Sequence, residues 1–188
     1  NLGIGGVGAK TFGLASSNGT CGINFNGLIA DGTVGGASVI SVRVNGSGIG
    51  NFSLGNSANS FTGSVILDGN TINKSTTLSV PLIGNAGTNS CIGKVGTVNL
   101  GSTTAGSDNI LAHTGTGETT DKVMNLAGTL GNGGVSQSGT GLLKFTSPMT
   151  ATGSGVKSFI LSGSTAGIGE FAGAIVDSSS GAISLKKQ

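Results

Sequence analysis

The sequence contains neither tryptophan nor tyrosine, and only 9% of its 188 residues are charged. A nucleic-acid-binding surface usually combines clustered lysine and arginine with stacking aromatic side chains, so no nucleic-acid partner is expected. No apolar stretch approaches the roughly 20 residues of a membrane-spanning helix, so this segment is not expected to insert into a membrane. With only two prolines and no strict three-residue glycine period, a collagen-like chain is excluded.

What the sequence has in abundance is glycine, at 38 positions, together with serine, threonine, asparagine and β-branched residues. Glycine costs about 1 kcal/mol per helical position relative to alanine, and β-branched side chains lose rotamer freedom in a helix. The apolar residues, 36% of the chain, recur in short alternating runs, which argues against disorder. The composition therefore predicts an all-β domain of many short strands joined by tight turns.

The chain repeats itself over a long interval, because residues 8–45 match residues 155–188 with small insertions. The best-matched residues lie 143 to 147 positions apart (Phe12 to Phe159 is 147, Ile40 to Ile183 is 143). We therefore predict one domain over residues 1–188 that holds about 1.3 copies of a unit of about 145 residues. The matched pairs are Phe12 with Phe159, Phe25 with Phe171, Asp31 with Asp177, and Ile40 with Ile183.

A shorter motif, G-x-G-apolar-x-x-F, occurs four times within the chain. Apolar and polar residues alternate after each phenylalanine, so we predict that the glycines form a turn and that a strand with its core phenylalanine follows. The four copies are Gly6, Gly8 and Phe12; Gly46, Gly48 and Phe52; Gly139, Gly141 and Phe145; and Gly153, Gly155 and Phe159.

The first copy overlaps two phosphate-binding patterns. Gly3, Gly5 and Gly8 fit G-x-G-x-x-G, and Lys10 with Thr11 almost completes G-x-x-x-x-G-K-[ST]. Both sites require a helix after the glycines, because the helix N-terminus holds the phosphate. Here the following AKTFGL alternates like a strand. The sequence favours a glycine turn, and we predict no cofactor.

A long internal repeat favours a solenoid over a closed sandwich or barrel, since a coil is extended by adding turns. In a parallel β-helix the strands stack about 4.8 Å apart, and apolar side chains form inward columns. The segment SVISVRV, residues 38–44, would place Ile40, Val42 and Val44 on one face. At roughly 20 residues per turn, we expect about nine turns and a rod about 45 Å long.

Four segments resemble the autotransporter-associated β-strand repeat: FTGSVILDGNT (61–71), IGKVGTVNLGST (92–103), HTGTGETTDKVMNLAGTLGNGGVSQSGTGLLKF (113–145) and ATGSGVKSFILSGSTAGIGEFAGAIVDSSSGAISL (151–185). The resemblance extends from about Phe12 to the end of the chain. It implies a right-handed parallel β-helix exported across a Gram-negative envelope, where such repeats serve as surface stalks and adhesin shafts. It supplies no catalytic residues. The aromatic-rich TWTLSGxNTYTGxT segment of the family is replaced by GNFSLGNSANSFTGSV (50–65).

The polar residues give little sign of catalysis. His113 is the only histidine, and Glu118 and Asp121 follow it, but no nucleophile motif accompanies them. We therefore expect His113 to lie in a loop or to face outward. The seven acidic residues are spread along the chain, so neither a metal site nor a catalytic acid cluster is predicted. The acids are Asp31, Asp68, Asp108, Glu118, Asp121, Glu170 and Asp177.

Both cysteines, Cys21 and Cys91, are expected to be small core residues. Seventy residues of coil would place them about three turns, or ~15 Å, apart, beyond the ~7 Å between Cα atoms that a disulfide spans. Lys186 and Lys187 read as ordinary solvated charge or as protection of an exposed strand edge.

These observations predict a non-catalytic extracellular β-solenoid at the surface of a Gram-negative-type bacterium. It would be a building block of a stalk, or of a filament in which copies of the chain stack end to end. One alternative is a monomeric adhesin or passenger shaft whose partners are the flanking repeats of a longer chain. Another is a β-helical enzyme that acts on polysaccharide. An ice-binding solenoid is disfavoured because the threonines are unevenly spaced.

Overall fold

The structure, a computed structural model, describes residues 7–17, 19–32, 38–163 and 167–188. Within these ranges the chain forms fifteen β-strands and no helix, so the all-β prediction is confirmed. The strands are short, at three to seven residues, because a glycine or a polar turn residue interrupts each apolar run.

The strands form three sheets, and every strand pair is parallel. Sheet 1 runs in the order β1 (Lys10–Ser16), β3 (Ile40–Gly46), β5 (Val65–Leu67), β7 (Thr97–Leu100) and β10 (Val123–Leu126). Sheet 2 comprises β2 (Thr20–Phe25), β4 (Ile49–Leu54), β6 (Ser75–Val80), β8 (Asp108–His113), β11 (Asn132–Gln137), β13 (Lys157–Gly163) and β15 (Ile183–Lys187). Sheet 3 comprises β9 (Glu118–Thr120), β12 (Leu142–Phe145) and β14 (Ile168–Phe171).

The chain winds around these sheets as a parallel β-solenoid of about six turns, which confirms the predicted class of fold. The expected nine turns and 45 Å were wrong. The turns are longer than roughly 20 residues, since Asp108 pairs with Asn132 (24 residues on) and Ser75 pairs with Asp108 (33 residues on). Six steps of about 4.8 Å give a rod about 29 Å long.

The longest turn owes its length to the segment between β6 and β7. It contributes its own core residues, Ile83 and Cys91 among them, both fully buried. The buried side chain of Asn59 fastens it to the turn below, because Asn59 accepts the N–H of Ile29 at 2.8 Å and donates to the carbonyl of Cys91 at 2.8 Å. These contacts cross two turns and fix the corner.

Apolar columns run along the inside of the rod. Ile40, Val42 and Val44 are buried, as their alternation predicted. Stacked core side chains of this kind contribute about 1.5–3 kcal/mol each when fully removed from water. Two columns of sheet 1 follow from the pairing: Phe12, Val42, Val65, Val98 and Met124; and Leu14, Val44, Leu67, Leu100 and Leu126.

The two copies of the long repeat lie on different faces of the rod. Phe12 is in β1 of sheet 1, whereas its match Phe159 is in β13 of sheet 2. Phe25 and Phe171 are likewise displaced, from sheet 2 to sheet 3. The parallel bridge between Asn125 and Thr150 continues the sheet 1 face for a further turn, so the repeat unit spans five turns and one face.

The local structure of the two copies is nevertheless the same. In the first, Asp31 Oδ1 accepts the N–H of Ile40 at 2.8 Å, at the start of β3. In the second, Asp177 Oδ1 accepts the N–H of Ile183 at 2.7 Å, at the start of β15. An isolated antiparallel bridge lies between aspartate and strand in both copies. The strands β3 and β15 are thus structural as well as sequence counterparts.

Candidate functional site

The four G-x-G-apolar-x-x-F motifs mark corners of the rod rather than one of its faces. Their phenylalanines lie in β1, β4, β12 and β13, which belong to all three sheets. Gly6 lies outside the described residues. Gly141 and Gly155 adopt positive φ angles of 75° and 85°, a backbone that L side chains rarely adopt, directly before their strands. Phe52, Phe145 and Phe159 are buried, and Phe12 is half-buried.

The phosphate-binding interpretation of the opening glycines has no helix to support it. Gly3 and Gly5 lie outside the described residues, but residues Lys10–Ser16 after Gly8 form β1. All seven residues of β1 pair with β3. The backbone N–H groups that a helix N-terminus would present to a phosphate are instead part of a sheet.

His113 does not lie in a loop or face outward, so that expectation was wrong. It is in β8, and its side chain is 1% exposed. Gln137 donates its amide to the carbonyl of Gly141 at 2.9 Å, which leaves its Oε1 to face the imidazole, and Nδ1 of His113 donates to that oxygen at 2.7 Å. The partner comes from the next turn, 24 residues away, and so could not be found from neighbouring residues.

Glu118 occupies the other side of this histidine. Its Oε1 lies 3.4 Å from His113 Nε2, while its two oxygens accept the N–H groups of Ile83 and Gly84 at 2.6 and 2.7 Å. The carboxylate therefore holds the backbone of the preceding turn in place. With one imidazole nitrogen facing Gln137 and the other facing Glu118, His113 is not placed to activate a serine.

Five of the other acidic side chains also act between turns, whereas Asp177 bonds within its own turn. Asp31 accepts the hydroxyl of Thr62 at 2.6 Å, and Asp121 accepts the N–H of Ala86 at 2.7 Å. Asp108 accepts the amide of Asn132 at 2.8 Å. Each bond joins positions 24 to 35 residues apart in sequence, which is one turn of the rod. Arg43 in β3 forms an ion pair with Asp68, which directly follows β5, and Lys144 pairs with Glu170 across the neighbouring strands β12 and β14.

Two buried lysines complete this set of contacts, and nothing in the sequence singled them out. Lys122 is fully buried, and its Nζ donates to the carbonyl of Val95 at 2.5 Å and to those of Asn85 and Gly93 at 3.3 Å. Burial lowers the pKa of Lys122 to about 8, although Asp121 and Glu118 raise it in part. The acceptors around Lys122 are all backbone carbonyls. Because every residue has a carbonyl, no pattern of residue types in the sequence reveals them.

Lys157 is held in the same way further along the rod, at the start of β13. Its Nζ donates to the carbonyls of Gly128 and Gly153 at 2.6 Å and of Ser154 at 2.9 Å. Burial lowers the pKa of Lys157 as well. Both ammonium groups therefore fill corners of the rod. Within the described ranges no three His, Cys, Asp or Glu side chains are grouped so as to hold a metal ion.

The two cysteines are free and lie in different environments. Cys91 is buried as expected, and burial raises the pKa of its thiol. Cys21 was expected in the core but is half-exposed, because it belongs to β2, the first strand of sheet 2. Its inward side chain has a neighbouring turn on one side only.

Within the described part of the chain, β2 and β15 are the edge strands of sheet 2. Among the described residues, β2 pairs only with β4, and β15 only with β13. Apolar side chains are exposed at these edges, with Ile23 40% exposed on β2 and Leu185 58% exposed on β15. Lys186 and Lys187 are exposed on β15, in agreement with charge at a strand edge.

A cavity of about 220 Å³ opens at the β15 end of the rod, between sheets 2 and 3. Its walls combine apolar side chains with polar groups. The lining includes Val135, Gln137, Phe145, Leu161, Gly163 and Phe171. Among residues 7–17, 19–32, 38–163 and 167–188, no side chain fills the interior at this end.

Comparison of the chain with protein-family models, with curated proteins and with solved structures finds no match in any of the three. The part of the chain that the structure describes contains no helix that is long and apolar enough to cross a membrane. The function must therefore be argued from the geometry of the rod and its two ends.

Proposed function

We propose that this chain is a non-catalytic structural rod outside the cell, a building block of a surface stalk or of a filament made by head-to-tail stacking. The observation that carries the proposal is that the charged side chains connect successive turns of the rod. Nearly all the described carboxylates, and both buried ammonium groups, bond to a neighbouring turn. Such bonds run along the rod axis and resist separation of the turns.

The placement of the acids favours a mechanical role over a chemical one. A polysaccharide-cleaving site needs carboxylates that converge on a substrate, typically two acids some 5–10 Å apart with free oxygens. Here Glu118 and Asp31 each spend both oxygens on backbone or hydroxyl donors. The resemblance to autotransporter-associated repeats supports a location at the surface of a Gram-negative-type bacterium.

The free edges of sheet 2 support stacking of copies. An unpaired strand edge presents a row of N–H and C=O groups that invites another strand. The two ends of a rod are different surfaces, so contact between them is heterologous and generates an open fibre rather than a closed dimer. The exposed apolar residues at both ends would be covered by such a contact.

Electron microscopy of the purified 188-residue chain over a concentration series tests this proposal. We expect long filaments whose diameter matches one rod. Ile23→Lys should prevent filament growth, because it places a charge on the inward side of the β2 edge. Ile72→Lys is the matched control, since Ile72 is 62% exposed and lies outside every strand, between β5 and β6 in the middle of the chain.

Dispersed short rods at every concentration would refute self-assembly and favour the monomeric shaft of a longer protein. Equal filament growth by both lysine variants would also contradict stacking through the β2 edge. Circular dichroism of each variant distinguishes loss of assembly from loss of folding.

A further inference from the structure

We propose that, in the assembled rod, β2 of one copy pairs in parallel with β15 of the next copy, with Cys21 opposite Leu185. The inference rests on the proposed function and gives its interface a defined register. It would turn sheet 2 into a continuous sheet along the filament.

The register follows from one column of sheet 2 that runs the whole length of the rod. Successive pairing connects one residue of each of the seven strands, starting with Cys21 and ending with Leu185. A second copy that continues the column would place its Cys21 directly on Leu185. The column consists of Cys21, Gly50, Thr76, Asn109, Gly133, Phe159 and Leu185.

The free edge of β15 has a paired counterpart within the same molecule. β15 matches β3 in sequence, and each strand begins at an N–H that an aspartate holds. β3 is paired on both edges, by β1 on one side and β5 on the other. A strand of this type therefore accepts parallel neighbours on both edges. Among the described strands, β15 has a neighbour on one edge only, which is β13.

The shapes of the two ends agree with the same register. Phe25 lies at the β2 end of a neighbouring column, where its ring packs against that of Phe12 at a centroid distance of 4.9 Å. At the opposite end this column passes through His113 and Gln137 to Gly163, which has no side chain. The cavity of about 220 Å³ lies there.

With Cys21 opposite Leu185, Phe25 of the second copy continues the column that ends at Gly163, two strand spacings away, and its ring can enter the cavity beside Phe171 and Leu161. Ile23 would lie over Lys187, whose aliphatic stem can cover it while the ammonium reaches solvent. One end thus provides an aromatic side chain where the other end has a hole.

Oxidative cross-linking tests the register, because paired positions of neighbouring strands fall within the Cα separation of a disulfide. Leu185→Cys should link to Cys21 of another copy and give a ladder of multimers on a non-reducing gel. Ser184→Cys is the matched control, since its side chain points to the opposite face of β15. Leu185→Cys combined with Cys21→Ser should give no ladder. Linkage through Ile183→Cys instead of Leu185→Cys would overturn the register.

The unmodified chain provides an independent readout if the variants fail to fold. Cys21 is half-exposed in one copy, so its reaction with a maleimide should slow at least about tenfold on assembly. Buried Cys91 serves as the internal reference. Filaments in which Cys21 reacts as fast as in dilute chain would overturn this interface and leave the filament intact. If no filament forms at any concentration, the proposed function itself fails.

Discussion

Lys122 offers a sharp test of how the corners of the rod are held. Its ammonium is fully buried among three backbone carbonyls, and its pKa is lowered to about 8, from 10.5 for a free lysine. Between these two values the unfolded chain binds more protons than the folded chain. The free energy of unfolding should therefore rise as the pH is raised from 8 towards 10.5.

The pKa difference sets the magnitude. Lowering the pKa from 10.5 to about 8 corresponds to roughly 3 kcal/mol if the titration is completed. From pH 7 to pH 10 the rise is smaller, about 2–3 kcal/mol, because the unfolded lysine is only partly deprotonated at pH 10. Lys122→Met removes the titrating group and should lose this rise, while every other titration in the chain is retained.

The assay is urea unfolding of the original chain and of Lys122→Met at pH 7 and pH 10. For each protein the change in the free energy of unfolding between the two pH values is determined, and the two changes are compared. A response that is the same in the variant as in the original chain would refute the account of Lys122. If Lys122→Met is too unstable to measure, carbon-13 NMR titration of the lysine side chains replaces it. A Lys122 signal that titrates above pH 10 would then be the contradicting result.

Three further changes test other contacts, each by urea unfolding at pH 7 with a matched control. Glu118→Gln should cost about 1.5–3 kcal/mol because it weakens two charge-assisted bonds to buried N–H groups, whereas Glu170→Gln in an exposed ion pair should cost under about 1 kcal/mol. Gly155→Ala should lower the free energy of unfolding by about 1–3 kcal/mol because φ is 85° at that position. Gly13→Ala in β1 should be nearly neutral, because the added methyl group meets no atom within 4 Å. Leu111→Ala should cost about 2–5 kcal/mol and Leu130→Ala, 47% exposed, close to nothing. Equal effects within any pair would contradict the burial or bonding assigned to it.

Much of the fold could be predicted from the sequence because its signals are local. The alternation at Ile40, Val42 and Val44 depends only on the two-residue period of a strand. The glycine corners are visible because few other residues adopt a positive φ, as at Gly141 and Gly155. The long repeat then favours a solenoid over a closed sheet.

The number of turns and the polar contacts could not be predicted for one common reason. Both depend on which residues of successive turns meet, and the intervals between paired residues range from 23 residues at Val42 to 33 at Ser75. Unless these intervals are known, the sequence does not show that His113 will meet Gln137 or that Lys122 will meet the carbonyl of Val95. A lysine before an apolar strand reads as a solvated residue unless the corner that encloses it is known.

The displacement of Phe12 and Phe159 onto different sheets has a geometric consequence for any array of such units. A unit that ends one face further around than it began turns its successor by about a third of a revolution, or roughly 120°. A loop or binding epitope carried once per unit would wind around the axis as a spiral, and the direction of the first unit would recur at every third unit after it. A long array would therefore display its surface features in all directions, so that a partner could approach it from any side.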